Sequence, residues 1–428
     1  MKLKYLSIAM IAFISLSLSS ASTARSLDDL TNEAVSPNND VAIAAINELR
    51  GMGPTGLDAL FAKYAVEIVK FNSTGVADDN WKLVSNALDS VAMQKDAYAS
   101  HLYWYTDLDA AKRVAAAKNR PILSLRLLGN LNEEFSCANS RLFRAVLYPN
   151  AEISKYLREN YILHWQSVRP APRITIDFGD GRKIERTITG NSIHYILDRE
   201  GNIIDALSGL YTPTAFLKYL TQGREIAQIV DRASKPDRER ALMQYRKTNF
   251  DRIKQQRDKS IALARVALTE TSVGLTAIRV APVAVTKMVM TDEYSLLRVY
   301  DDFAKFEAKI DFSDWDKLAK LYSPAPKLDA NSIAFIRRQN AGTALSEAEF
   351  TTLFAKLDSF MALDTTRNDF LYHAKLYQWL NDDRSGESLD RFNERVYADI
   401  FRTPTTDKWL GLYSTDVYTA LDGNGITK

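Results

Sequence analysis

Residues 107–147 read DLDAAKRVAAAKNRPILSLRLLGNLNEEFSCANSRLFRAVL, and the fold turns on this stretch. Asp107 to Asn119 is Ala-rich and amphipathic, with Thr106 or Asp107 placed to cap a helix. Pro121 ends that helix. Ile122 to Leu128 is a mostly apolar run suited to a buried strand. A loop through Gly129 and Asn130 leads to Cys137-Ala138-Asn139-Ser140, and a second helical stretch runs from Arg141 to Leu147, stopped by Pro149. Helix, buried strand, loop and helix together open an α/β unit.

Working toward the C-terminus, Ala151 to Asn160 reads as a short helix and Tyr161 to Val168 as a strand. Arg173 to Ile188 reads as a hairpin: two alternating runs flank Gly179-Asp180-Gly181, and a D-G pair between such runs is a hairpin signal. A phosphate loop at GDGRK would need a following helix to supply N-terminal amides, and none is expected there. Two more strands, Ser192 to Leu197 and Ile203 to Leu207, flank the turn Asp198 to Asn202, whose acidic spacing does not suit an EF-hand. Thr212 to Val230 reads as the closing helix, capped by Thr212 or Thr214.

The flanks lack strand signals. Lys2 and Lys4, the apolar run Tyr5 to Leu18 and the small residues Ser19 to Ala24 make a signal peptide over 1–24, with the mature chain starting at Arg25. Residues 25–102 read as a helical region. Within it, 41–65 resembles one HEAT-type helical hairpin broken at Gly51-Met52-Gly53-Pro54, with no second copy at a fixed period, and 81–100 continues as helix. Residues 233–428 read as a helical C-terminal domain, with helices at 291–309, 313–322, 346–360, 366–381 and 388–400 and a packing anchor at Trp409 to Tyr413. The charged stretch near 231–260 joins it to the α/β part. Its interleaved acids argue for a solvated helix rather than a nucleic-acid stripe.

Composition bounds the function. The 428 residues are 46% hydrophobic and 25% charged, as in folded soluble chains. Removing 1–24 takes two of the 55 basic residues and none of the 53 acidic ones, so no basic excess remains for nucleic acid, and no membrane association is expected after cleavage. One cysteine excludes an internal disulfide and a cysteine-based zinc site, and the four histidines have no zincin spacing. No metal or cofactor is expected.

The order of elements over about 103–222 resembles a thioredoxin-like domain. The residues that carry the resemblance are Trp104 to Ala111, Lys118 to Leu123, Cys137 to Ser140 at the place of a Cys-x-x-Cys, and Gly190 to Asn202. The whole chain resembles a group of uncharacterised secreted bacterial proteins with such a central domain. The resemblance implies a mixed sheet with flanking helices over 103–232, between all-α regions. It also places Ser140 where the second cysteine would stand and Ser192 where a cis-proline would face the first. The hairpin at 173–188 is an insertion by the same comparison.

A thiol reacts as thiolate, favoured by a helix N-terminus and nearby cations. Cys137 opens a helix, with Arg141 one turn on and Arg169 and Arg173 after the neighbouring strand. Glu133 and Glu134 oppose this or stay solvated. His164 or His194 could act as base, or sit as core residues. Two functions fit. In the first, Cys137 exchanges with a protein or small-molecule thiol, with Ser140, Arg141 and Ser192 shaping the site, in a periplasmic or extracellular setting. Cys137 would then react faster than free cysteine at neutral pH. In the second, Cys137 is a buried small hydrophobe and the domain is a non-catalytic protein-binding module. The sequence sets no oligomeric state.

Overall fold

The computed structural model describes residues 25–187, 190–266, 312–322, 327–382, 387–401, 403–409 and 420–427. The expected signal peptide, the helix at 291–309 and most of the Trp409–Tyr413 anchor lie outside them.

The chain is mixed α/β. It begins with helices α1 (Leu27–Glu33), α2 (Asn39–Gly51), α3 (Pro54–Lys63), α4 (Ala65–Thr74) and α5 (Asp79–Ala92). Several starts have a local cause. Asn38 caps α2 by accepting from the amides of Asp40 and Val41, and Asp78 caps α5 through Trp81 N. The turn between α2 and α3 uses Gly53 at φ +68°, a conformation glycine adopts without strain. Gly56 lets the two helices touch: a Cβ there would lie 2.0 Å from the Leu49 carbonyl oxygen. The helix expected over 81–100 stops at Ala92. Met93, Asp96 and His101 take left-handed backbone conformations, and the buried Asp89 carboxylate holds the turn by accepting from Ala97 N at 2.8 Å.

The sheet follows: β1 (Trp104–Tyr105), α6 (Leu108–Lys118), β2 (Ile122–Leu128), α7 (Ala138–Leu142), α8 (Ala151–Asn160), β3 (Ile162–Arg169), then hairpin β4 (Arg173–Asp177) and β5 (Lys183–Thr187), then β6 (Ser192–Leu197), β7 (Ile203–Ser208) and α9 (Pro213–Val230). Its order is β1-β3-β2-β6-β7. The first three are parallel to one another, while β6 runs antiparallel to β2 and β7 to β6. β2 is buried along its whole length, Ser124 and Arg126 included, as its mostly apolar run suggests for a central strand. Asp107 caps α6 and Thr212 caps α9. β4 and β5 form a separate two-stranded sheet.

Alternation puts Ser124, Arg126, His164 and Tyr195 on one face of the sheet and Leu125, His194, Ile196 and Asp205 on the other. α9 closes the second face, with Gly223 admitting the Ile196 side chain.

Helices α10 (Lys235–Ala264), α11 (Phe312–Tyr322), α12 (Ala330–Gln339), α13 (Glu347–Arg367), α14 (Ala374–Asn381) and α15 (Leu389–Arg395) complete the described chain. The segment read as a solvated joint is α10, a continuous helix of 30 residues. One side of it is buried: Arg246 reaches the carbonyls of Ile203, Ile204 and Leu380, and Ile253 enters a second apolar cluster with Trp315, Leu318, Phe370 and Tyr377. The helices expected at 346–360 and 366–381 are one run, because a π-helical turn (Asn368–His373) links α13 to α14. Similar turns follow α7 (Phe143–Leu147) and α15 (Val396–Ile400). α12 had no counterpart in the sequence reading.

Candidate functional site around Cys137

Cys137 stands at the end of β2. Its amide donates to the Leu128 carbonyl at 3.0 Å, and Gly129 N donates to the Arg169 carbonyl at 2.7 Å, so the loop 129–136 leaves and returns to one place on the sheet. Gly129 is at φ +75°, and a Cβ there would come 3.1 Å from Ser136 Cα. Only glycine closes this loop without displacing it.

The thiol is 0% exposed. Its Sγ lies 3.5 Å from Ser140 Oγ, which is also 2.8 Å from the Cys137 carbonyl and 2.7 Å from Ser136 Oγ. A hydroxyl has one proton, and a carbonyl can only accept. Ser140 therefore donates to the carbonyl and accepts from its neighbours, Ser136 and the thiol. Tyr148 and Tyr397 close the space. Burial first, then the nearby Cys137 sulfur, hold both phenols far above their ordinary pKa.

The cations expected beside the sulfur are engaged elsewhere. Arg141 donates to Thr187 Oγ1 at 2.8 Å, tying the helix to the hairpin. Arg169 donates to the carbonyls of Thr403 and Pro404. Arg173 pairs with Glu185 at 3.2 Å and lies over the Phe135 ring. Glu133 and Glu134 are exposed on the loop, and Asn130 binds the first of them. Ser192 opens β6, opposite Leu127, with its side chain buried. Of the four residues named as a site, Cys137 and Ser140 touch, Arg141 is bonded to Thr187, and Ser192 sits on the adjoining strand.

The two histidines lie on opposite faces of the sheet. His194 is 2.8 Å from the Tyr148 hydroxyl and packs among Phe143 and Phe216. Burial lowers its pKa to about 3. His164 is 2.8 Å from Ser124 Oγ, and burial, helped by Arg126, lowers it likewise to about 3. Both are neutral core groups at physiological pH.

The end of the sheet that carries Cys137 is covered by the chain's own C-terminal region. Tyr397 OH donates to the Asn191 carbonyl at 3.1 Å, Asn191 Nδ2 donates to Thr403 Oγ1 at 3.0 Å, and Arg169 clamps residues 403 and 404 from below. On the same side, α15 lies on the first face of the sheet: Tyr195 meets the Phe392 ring and Asn393, and Arg126 pairs with Asp390 at 3.0 Å.

A second polar cluster escaped the sequence reading. Asp205, the lone acid of β7, accepts from His373 Nε2 at 2.7 Å, Tyr245 OH at 2.6 Å and Tyr377 OH at 2.9 Å. His373 turns its Nδ1 to Asp369 at 3.3 Å, and Asp369 also takes the hydroxyls of Tyr219 at 2.8 Å and Tyr322 at 2.5 Å. Burial alone would lower His373, but the charge and hydrogen bond of Asp205 outweigh it and raise the pKa to about 9. Burial would raise Asp205, and His373 overrides that too, holding its carboxyl below the usual range. His373 is thus a buried cation between two acids. The sequence signals were an aspartate inside an apolar strand and an Asp-x-x-x-His pair on one helix face.

Among the described residues no group of His, Cys, Asp and Glu is arranged to hold a metal, and no helix is long and apolar enough to cross a membrane. The Asp198 turn, weighed as a calcium loop, is filled by the chain itself: its carboxylate accepts from the amides of Glu200 and Asn202 and pairs with Arg238. No protein-family model matches the chain, and no curated protein matches it.

Proposed function

We propose that this is an exported, periplasmic or extracellular protein whose central thioredoxin-like domain acts as a non-catalytic binding module for a protein partner. The strand order β1-β3-β2-β6-β7, with a parallel half and an antiparallel half, supports the thioredoxin-like reading. So does the position of Cys137, between the second strand and the helix after it. In such a domain a helix crosses one face of the sheet between the third and fourth strands. Here the connection is the β4–β5 hairpin, and α15 from the distant C-terminus lies on that face instead.

The observation that favours binding over catalysis is the cover on the cysteine. Its sulfur is fully buried, its expected cations are bonded to other groups, and Tyr397, Thr403 and Pro404 occupy the end of the sheet where an extended substrate would approach. A thiol must meet its partner sulfur in line, and a sealed one cannot.

Monothiol exchange through Cys137, with a protein or small-molecule thiol, is the second reading. The contact of Cys137 with Ser140 at a helix start favours it, and it requires residues 397–404 to move aside. Alkylation of the folded protein at neutral pH decides. A thiol that stays unmodified until denaturant is added supports the binding module. Modification faster than that of free cysteine, with a mixed disulfide formed to a small thiol, overturns it in favour of exchange.

A further inference from the structure

The β4–β5 hairpin projects from the domain with its outer edges unpaired. Among the described residues, no backbone hydrogen bond reaches the outer side of β4. Arg173, Thr175 and Asp177 are exposed. The ladder fixes which groups face outward. Phe178 N donates to the Arg182 carbonyl at 3.1 Å across the turn, so the pairs Ile176–Ile184 and Ile174–Arg186 are the hydrogen-bonded ones. The amides and carbonyls of Arg173, Thr175 and Asp177 therefore point away from β5. One face of the hairpin is apolar as well, with Ile176 45%, Phe178 52% and Ile184 40% exposed. An exposed edge with an apolar face is a template for another strand, and soluble proteins usually blunt it.

The sequence of β4, Arg173-Ile174-Thr175-Ile176-Asp177, is complementary to itself when reversed. We propose that a second copy of this chain is the partner of this edge, and that two β4 strands pair antiparallel about a twofold axis through Thr175. In that register Arg173 of each copy faces Asp177 of the other, Ile174 faces Ile176, and Thr175 faces itself. The outward groups meet at Thr175 and at both Arg173–Asp177 pairings, about six hydrogen bonds in all. Opposite charges and β-branched pairs across strands both favour the arrangement. Other self-pairings of β4 are worse. Centring on Arg173 or Asp177 opposes like charges, and centring on Ile174 or Ile176 sets each of these two charges against an uncharged residue. The β5 edge does not compete, because the corresponding register of Lys183-Ile184-Glu185-Arg186-Thr187 sets Glu185 against Glu185. The interface is isologous and closes at two copies. It does not depend on whether Cys137 reacts.

Sedimentation velocity of the full chain, from about 10 μM to about 1 mM, covers the range expected of an interface smaller than standard size. The wild type is expected to pass from monomer to dimer. Thr175→Pro removes the amide on the axis without touching the β4–β5 ladder, and it weakens the dimer at least about tenfold. Arg173→Glu and Asp177→Arg each weaken it, and the double variant restores it. Thr175→Cys places two sulfurs on the axis, where strands set Cα atoms about 5.5 Å apart, within disulfide reach. Oxidation then traps a covalent dimer, whereas Ile184→Cys gives none. A chain that stays monomeric throughout, a dimer indifferent to Thr175→Pro and the charge swaps, or cross-linking through position 184 instead of 175 overturns the proposal.

Discussion

The polar clusters around Cys137 and around Asp205 are both buried, and they are built on opposite principles. Around Cys137 the side chains are of neutral types, a thiol, two serines and two phenols, while Arg141 is bonded to Thr187 and Arg169 to the carbonyls of residues 403 and 404. Around Asp205 the groups are charged: two aspartates share one imidazolium, and four tyrosines donate to the carboxylates. The neutral cluster lies where loops cover the end of the sheet. The ionic one lies where β7 meets α9, α10, α11 and α14. Charge is concentrated at the joint between the sheet and the C-terminal helices, where a misplaced partner is penalised most. A buried ion pair contributes little net stability against an apolar substitute, but removing one member strands the other. The ionic joint is therefore expected to hold sheet and helices in register.

Three measurements press on this contrast. Asp205→Ala removes the carboxylate that keeps buried His373 protonated and leaves the hydroxyls of Tyr245 and Tyr377 without their acceptor, and it is expected to lower the unfolding free energy by about 3–5 kcal/mol in urea titration at neutral pH. A loss below about 1 kcal/mol would show that the cluster rearranges freely and carries no register.

The second is the pH dependence of stability. His373 has its folded pKa raised to about 9 from 6.5. The folded state holds its proton longer, so the stabilisation is full below about pH 6.5 and is lost as pH rises through about 9. The loss amounts to about 3 kcal/mol at the conversion of about 1.4 kcal/mol per unit. Asp205 acts in the other direction, its contribution fading as pH falls below the ordinary carboxylate range. Buried Asp89 and Asp364, each raised to about 6 by burial, weaken the fold as pH climbs toward 6, below the His373 window. Thermal melts from pH 6.5 to 9.5 should therefore fall for the wild type and flatten for His373→Gln. Parallel curves for the two would remove His373 as the titrating group.

The third concerns the neutral cluster. Ser140→Ala deletes a hydroxyl bonded to a carbonyl and to Ser136, and it is expected to cost only about 0.5–1.5 kcal/mol in the same urea titration. A loss as large as that of Asp205→Ala would mean that the two clusters are more alike than their geometry says.

Strands β2 to β7 and most helices were legible in the sequence because their signals are local, whereas the two-residue β1 was not read as a strand. β2 announced itself as a mostly apolar run, β4 and β5 by alternation about a D-G turn, and α6 and α9 by a cap and a following proline or apolar stripe. The boundaries that failed were set by distant contacts. The 81–100 helix stops because Asp89 captures Ala97 N, and nothing at 81–92 foretells it. α13 and α14 read as two helices because a π-helical turn shifts the apolar period between them. The site was legible only as a place. Cys137 and Ser140 are neighbours by sequence spacing, but the burial of the thiol depends on Tyr397 and Thr403, more than 250 residues away. The directions of Arg141 and Arg169 likewise follow from partners in the hairpin and the C-terminal region. His373 and Asp205 are 168 positions apart, and no local pattern pairs them.

The π-helical turns make the chain sensitive to residue count as well as residue type. Each is closed by a bond five residues long: Tyr148 N to the Phe143 carbonyl, Ala374 N to that of Asp369, and Phe401 N to that of Val396. Each holds one residue more than an α-helical turn would. Deleting a single residue from any of them would let the helix relax to the ordinary pitch, and everything beyond would swing by about 100° about the helix axis. At 368–373 that swing would carry Tyr377 off Asp205 and present a different side of α14 to the sheet. At 396–400 it would carry Thr403 off Asn191 and unseat the cover over Cys137. Length variation should therefore be purged at these three turns even where many substitutions are accepted, while the hairpin tip at Gly179–Arg182 can gain or lose residues without moving either cluster.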